Sequence, residues 1–265
     1  MRRELLDCEV GRIELRRGGS GPPLVYLHSA SGEGEGLEFL DLLSDRAEVL
    51  APMFPGFGSS EGIEAIDDIE DAAFHLLDLW DRLGLSAPAV VGLSLGGWMA
   101  AELATRWPER VGKLVLVNPA GLYIPGAEVK EIFGRPLDEL AADLFADQAH
   151  PVAQLMRQMA SATQPGTEVP FELVKPVLAA LSATAKLAWD PYLHDPKLHR
   201  RLGRVRSDTL VVHGERDGLI PRAHAEAYAA AIPRARLVDV PGAAHLVPLE
   251  KPRELAELVA AHLAG

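Results

Sequence analysis

The chain has 265 residues, 48% hydrophobic, 24% charged and 6% aromatic, which allows one large domain with a substantial core and is too apolar for a disordered polymer. Its 26 basic and 38 acidic side chains leave a net charge of -12, a field that disfavours nucleic acid or anionic lipid as a partner. Cys8 is the single cysteine, so neither an internal disulfide nor a thiolate metal cluster is expected.

No apolar run reaches the roughly 18–20 residues of a membrane helix. Met1–Asp7 carries Arg2 and Arg3 without the apolar stretch of a secretory signal behind them. The expectation is a cytoplasmic protein with no membrane partner, either monomer or dimer.

Along the chain, Glu9–Arg16 alternates and predicts an antiparallel edge strand. Leu24–His28, Glu48–Ala51, Ala89–Leu93, Leu114–Val117 and Thr209–His213 are short runs apolar on both faces, the pattern of a buried parallel sheet, and Arg236–Val240 is taken as its last strand. Helical spacing falls between them at Ile66–Leu83, Gly97–Arg106, His224–Ala231 and Glu254–Leu263. Strand–helix alternation of this kind predicts a doubly wound α/β sheet with ligands at the carboxyl ends of its strands. The rhythm stops after Asn118. Leu122–Arg206 is helix-like and rich in proline, too long for a loop, and is read as a helical insertion over the working edge. The domains expected are a core of residues 1–121 and 207–265 and a cap of residues 122–206.

The sharpest local signal is Gly92-Leu93-Ser94-Leu95-Gly96-Gly97, lying between an apolar strand and a helix. Gly-x-Ser-x-Gly alone arises by chance in about one chain in ten of this composition, so the flanking elements carry the weight. A serine on a tight strand-to-helix turn needs small neighbours, and the helix N-terminus brings amide hydrogens beside its hydroxyl. Serine is a weak nucleophile and needs a base, itself oriented by an acid. Asp217 follows the strand Thr209–His213 and His245 follows Arg236–Val240, giving the order Ser94, Asp217, His245. Glu215 is the nearest substitute acid. The oxyanion donors expected are the backbone N–H groups of Leu95 and of Ala30, the second in the loop His28-Ser29-Ala30-Ser31-Gly32.

These segments, together with Phe54-Pro55-Gly56-Phe57-Gly58-Ser59-Ser60, resemble the α/β-hydrolase superfamily in its branch of small bacterial esterases, C–C bond hydrolases and lactonases. The resemblance implies a mostly parallel doubly wound sheet with a helical cap. It implies Ser94 as nucleophile, His245 as base, Asp217 as orienting acid and no cofactor. His28-Ser29 departs from the usual His-Gly pair. Relatives of this fold that open epoxides or remove halides use aspartate at the elbow, which Ser94 disfavours. No His-Glu-x-x-His cluster suggests a metal, and no Gly-x-Gly-x-x-Gly after a strand suggests a dinucleotide.

Apolar residues of the insertion that could face substrate are Leu122, Tyr123, Phe133, Leu144, Phe145, Met156, Met159, Phe171, Leu178 and Trp189. The substrate contacts expected are Ser29, Trp98, Met156, Trp189 and Leu246. The predicted activity is hydrolysis of a small carboxylic ester, with an apolar acyl or aryl group, through an acyl-enzyme. A C–C hydrolase or lactonase on the same fold, or a non-catalytic small-molecule receptor, is the alternative. A single asparagine (Asn118), 20 arginines against six lysines and 20 prolines would suit either a heat-stable protein or a GC-rich genome.

Overall fold

The computed structural model describes residues 1–34, 36–161 and 171–265, with the backbone alone at Phe171 and Leu173. Eight strands form one sheet: β1 (Arg2–Cys8), β2 (Gly11–Gly18), β3 (Pro23–Leu27), β4 (Glu48–Pro52), β5 (Ala89–Leu93), β6 (Lys113–Val117), β7 (Asp208–Gly214) and β8 (Ala235–Val240). Their spatial order is β1-β2-β4-β3-β5-β6-β7-β8, antiparallel through β1, β2 and β4 and parallel beyond. The five apolar runs lie in the parallel part, where helices cover both faces and alternation has no reason to appear.

The chain steps from β3 out to β4 and then back across β3 to β5. The strand order therefore reverses between β3 and β5, and a crevice opens at their carboxyl ends. Their register, Leu24 opposite Ala89 through Leu27 opposite Gly92, brings the loop after β3 level with the turn after β5.

The amino-terminal edge differs from expectation. The alternating strand is Gly11–Gly18, and it lies inside a hairpin whose other arm, β1, pairs Cys8 with Gly11. β1 is the edge strand, paired with β2 alone and mostly exposed, so its charged, half-apolar sequence carries little periodic signal.

The helices are α1 (Glu38–Ser44), α2 (Ile69–Arg82), α3 (Leu95–Arg106), α4 (Leu137–Leu144), α5 (Pro151–Ser161), α6 (Phe171–Ala188), α7 (Leu198–Arg201), α8 (Arg222–Ala231), α9 (Val247–Glu250) and α10 (Pro252–Ala264). α2 starts three residues later than its apolar spacing suggests. Asp68 caps it by accepting the Asp71 N–H at 2.9 Å, which leaves Ile66 outside as extended core packing. α1, two turns long, buries Phe39, Leu40 and Leu43 but is too short for a helical period to show. Between β6 and β7 lie α4–α7 and, among the described residues, no strand. α4 docks on the core through Gly218 N–H to Asp143 O (3.1 Å) and Leu246 N–H to Leu144 O (3.2 Å).

His75 of α2 is buried edge-on to Phe54, with ring centroids 5.5 Å apart. Burial pushes its imidazole down from 6.5 to about 4. Below pH 6.5 the unfolded chain binds a proton that the folded chain refuses until about pH 4. Stability that is complete above pH 6.5 is therefore lost between those values, by about 3 kcal/mol for this group. His75→Leu is expected to lose correspondingly less on acidification. Urea midpoints from pH 7 to 4.5 check this, and equal pH slopes in wild type and variant would contradict it.

Candidate active site

At the switch point β5 runs into α3 through Ser94, whose φ of 54° and ψ of -112° lie outside the ordinary regions for an L-residue. Such strain persists only where the surroundings over-determine it. Ser94 N–H donates to Val117 O (2.9 Å), and Ser94 O accepts from Trp98 and Ala120 N–H (3.0 and 3.1 Å). The flanking glycines are required by space. A Cβ on Gly92 would sit 2.4 Å from Gly96 O, and one on Gly96 would sit 2.2 Å from Leu27 O. Leu95 opens α3, so its N–H has no intrahelical acceptor.

His245 and Asp217 meet as expected. His245 Nδ1 lies 2.8 Å from Asp217 Oδ2, with the two side chains 2% and 0% exposed. The other carboxylate oxygen accepts from the Leu219 and Ile220 amides at 2.8 and 2.9 Å. An acceptor held this way assigns the imidazole proton to Nδ1 and leaves the Nε2 lone pair free to take another. Glu215 is engaged elsewhere, accepting from Gly242 N–H at 2.9 Å. His245 and Ser94 face the same cavity.

A residue missed in the sequence holds these pieces in place. Asn118, fully buried with φ 42°, donates from Nδ2 to Ala244 O (3.2 Å) and His245 O (2.9 Å) and accepts Gly214 N–H on Oδ1 (2.9 Å). It joins the strand end before Asp217 to the loop of His245. Its place directly after the apolar run Leu114–Val117 was the available signal, since asparagine tolerates the left-handed region better than most residues.

The loop after β3 supplies the other wall. Phe54 N–H donates to His28 Nε2 at 2.9 Å, so Nδ1 carries the proton and donates to Ser29 O at 2.7 Å. Burial lowers the pKa of this imidazole against the pull of Glu33, which keeps it neutral. Ala30 lines the cavity, and among the described residues its N–H has no acceptor.

The cavity holds about 340 Å³. Ser29, Ser31, Glu33, Ser94 and His245 are its polar side chains, and the remaining described wall is apolar, with no lysine or arginine. Ser29, Met156 and Leu246 line it, as do Leu144 and Met159. Trp98 and Trp189 do not. Trp98 is buried under the elbow with its indole N–H toward Glu102 at 3.4 Å. Trp189 is 61% exposed and packs on Phe133, ring centroids 5.2 Å apart. Leu122 and Phe145 are core residues, and Tyr123 and Leu178 face solvent. The Phe171 side chain lies outside the described residues. Among the described residues no three His, Cys, Asp or Glu side chains are grouped to hold a metal ion, and no helix is long and apolar enough to cross a membrane.

The class defined by this sheet and turn is also found by comparison. Residues 22–252 match the family model described as alpha/beta hydrolase fold. The chain belongs to the α/β-hydrolase family. Among relatives, it is 30% identical over 282 residues to a 2-hydroxymuconate semialdehyde hydrolase from Pseudomonas sp. strain CF600, covering 99% of this chain and 93% of that one. It is 28% identical over 255 residues to a pimeloyl-[acyl-carrier protein] methyl ester esterase from Nitrosomonas europaea, covering 91% and 96%. It is 29% identical over 262 residues to the dihydrolipoyllysine-residue acetyltransferase component of an acetoin cleaving system from Cupriavidus necator. That match takes in 94% of this chain but 66% of the longer component.

Proposed function

We propose that the protein is a serine hydrolase of small, uncharged carboxylic esters. The observation that supports it most is one cavity shared by Ser94, Leu95, Ala30 and His245, with His245 fixed by Asp217. In this reading Ser94 Oγ attacks the ester carbonyl as His245 Nε2 takes its proton. The Leu95 and Ala30 amides hold the oxyanion. The tetrahedral intermediate collapses, and the alcohol leaves with the proton from His245. Water then attacks the acyl-enzyme with His245 again as base, releasing the acid and restoring Ser94.

A second reading has an observation in its favour, the 30% identical relative named for hydrolysis of a semialdehyde. Ring-fission dienoates carry a carboxylate. Desolvating that charge in an apolar cavity is costly unless a cation faces it. The described wall offers Glu33 and no cation, and 162–170, outside the described residues, contains neither lysine nor arginine. The ester relative is nearly as similar, and the charge of the described wall favours the ester reading.

The test sets 4-nitrophenyl esters from acetate to dodecanoate against a ring-fission dienoate. The expected result is turnover of the esters, strongest at short chain length, with the dienoate far behind in kcat/KM. A dienoate kcat/KM above that of every ester would overturn the proposal in favour of C–C hydrolysis.

A further inference from the structure

The loop after β3 carries a carboxylate that the acyl-transfer steps do not use. Glu33 Oε1 accepts from Ser29 N–H (2.7 Å) and from the Tyr26 hydroxyl (2.8 Å), and Oε2 accepts from Ser29 Oγ (2.5 Å). Tyr26 is a fixed donor, since burial and the neighbouring Glu33 charge hold its phenol well above the usual range. The same turn is closed by Ser31 N–H on Ser29 Oγ (3.0 Å) and Gly32 N–H on Ser29 O (3.1 Å). The amides of Ser29, Ser31 and Gly32 are thus all engaged, and that of Ala30 is the one left without an acceptor among the described residues. The serine at position 29 is therefore half of a pair with Glu33, which reaches back four residues to lock the turn. Ser29, Ala30, Ser31 and Glu33 all line the cavity with Ser94.

We propose that Glu33 is a positioning and specificity residue: it clamps the turn that presents the Ala30 N–H to the Ser94 site, and its charge turns away substrates bearing a carboxylate. This rests on the ester-hydrolase reading above. The first role follows from geometry. An oxyanion donor works only when held in place before charge develops, and small displacements are expensive. Deleting the carboxylate frees both groups of Ser29 and the Tyr26 hydroxyl at once. The second follows from electrostatics. In a cavity whose described wall is mostly apolar and offers no cation, one fixed negative charge repels another more strongly than it would in bulk water.

Two substitutions separate the roles. Glu33→Gln keeps an acceptor for Ser29 N–H and the Tyr26 hydroxyl but removes the charge, whereas Glu33→Ala removes both. The substrates are 4-nitrophenyl hexanoate and its anionic counterpart of equal length, 4-nitrophenyl hydrogen adipate. Glu33→Ala is expected to lower kcat on the hexanoate by about 10–100-fold with KM within about threefold, and Glu33→Gln to restore it to within about threefold of wild type. Glu33→Gln is further expected to raise kcat/KM on the adipate, relative to the hexanoate, by about tenfold. Wild-type kcat in Glu33→Ala would overturn the clamp, and an unchanged adipate-to-hexanoate ratio in Glu33→Gln would overturn the charge role. Should Glu33→Ala not fold, Ser29→Ala removes the hydroxyl between Glu33 and Ser31, and unchanged kcat there would overturn the clamp equally. A wild type inert on the hexanoate would remove the ester reading, and this inference with it. That outcome is distinct because it shows before any substitution is made.

Discussion

Ser94→Ala is expected to lower kcat for ester hydrolysis by about 10⁴-fold or more while leaving the thermal midpoint within about 2 °C of wild type. The reason lies in what the substitution keeps. Alanine retains the Cβ, so the backbone strain at φ 54° is the same, and the elbow bonds to Val117, Trp98 and Ala120 use main-chain atoms only. What disappears is the oxygen that would be acylated. His245, its bond to Asp217 and the amides of Leu95 and Ala30 remain, so residual catalysis over water is expected from water attacking directly. Reaction with a fluorophosphonate followed by intact mass separates chemistry from folding. Wild type should gain one adduct and Ser94→Ala none. A Ser94→Ala protein that still turns over esters and still takes the adduct would place the nucleophile elsewhere.

The readability of this site in the sequence depended on how local each feature is. Ser94 was legible because an apolar strand, two glycines and a helix must adjoin it, and all lie between Ala89 and Arg106. Asp217 and His245 were legible through chain order and their positions after strands. The buried parallel strands gave continuous apolar runs for the same reason they sit at the centre of the sheet. What stayed hidden is contact across the fold. Trp98 and Trp189 are alike as large apolar residues near the site, yet one packs beneath the elbow and the other faces solvent. No spacing distinguishes those fates. The Ser29–Glu33 pair spans four residues of an irregular loop with no period to reveal it. Asn118 binds atoms 96, 126 and 127 positions away, and nothing near it in sequence hints at those partners.

That separation makes Asn118 the second position where a large effect is expected. Its side-chain amide is matched in full, both donor hydrogens to carbonyls of the His245 loop and the oxygen to Gly214 N–H. Asn118→Leu would leave three buried backbone groups unpaired, at about 1–3 kcal/mol each, and would force a branched residue into the left-handed region. A loss of at least about 3 kcal/mol in urea stability is expected. Asn118→Gly isolates the amide, because glycine adopts φ 42° freely. With the backbone unstrained, the His245 loop is still untied from the strand end that leads to Asp217. Asn118 does not line the cavity, so substrate should bind as before while proton transfer suffers. We expect kcat to fall about 10²-fold in Asn118→Gly with KM within about threefold, the size of penalty a displacement near 1 Å imposes on reacting groups. Asn118→Asp keeps the acceptor for Gly214 but sets a carboxylate against two carbonyl oxygens, so it should be less active than the glycine variant despite its closer shape. A glycine variant with wild-type kcat would show that Asn118 serves stability alone. A loss carried by KM would instead place the damage in the cavity wall, around Leu246, which follows the tethered carbonyl.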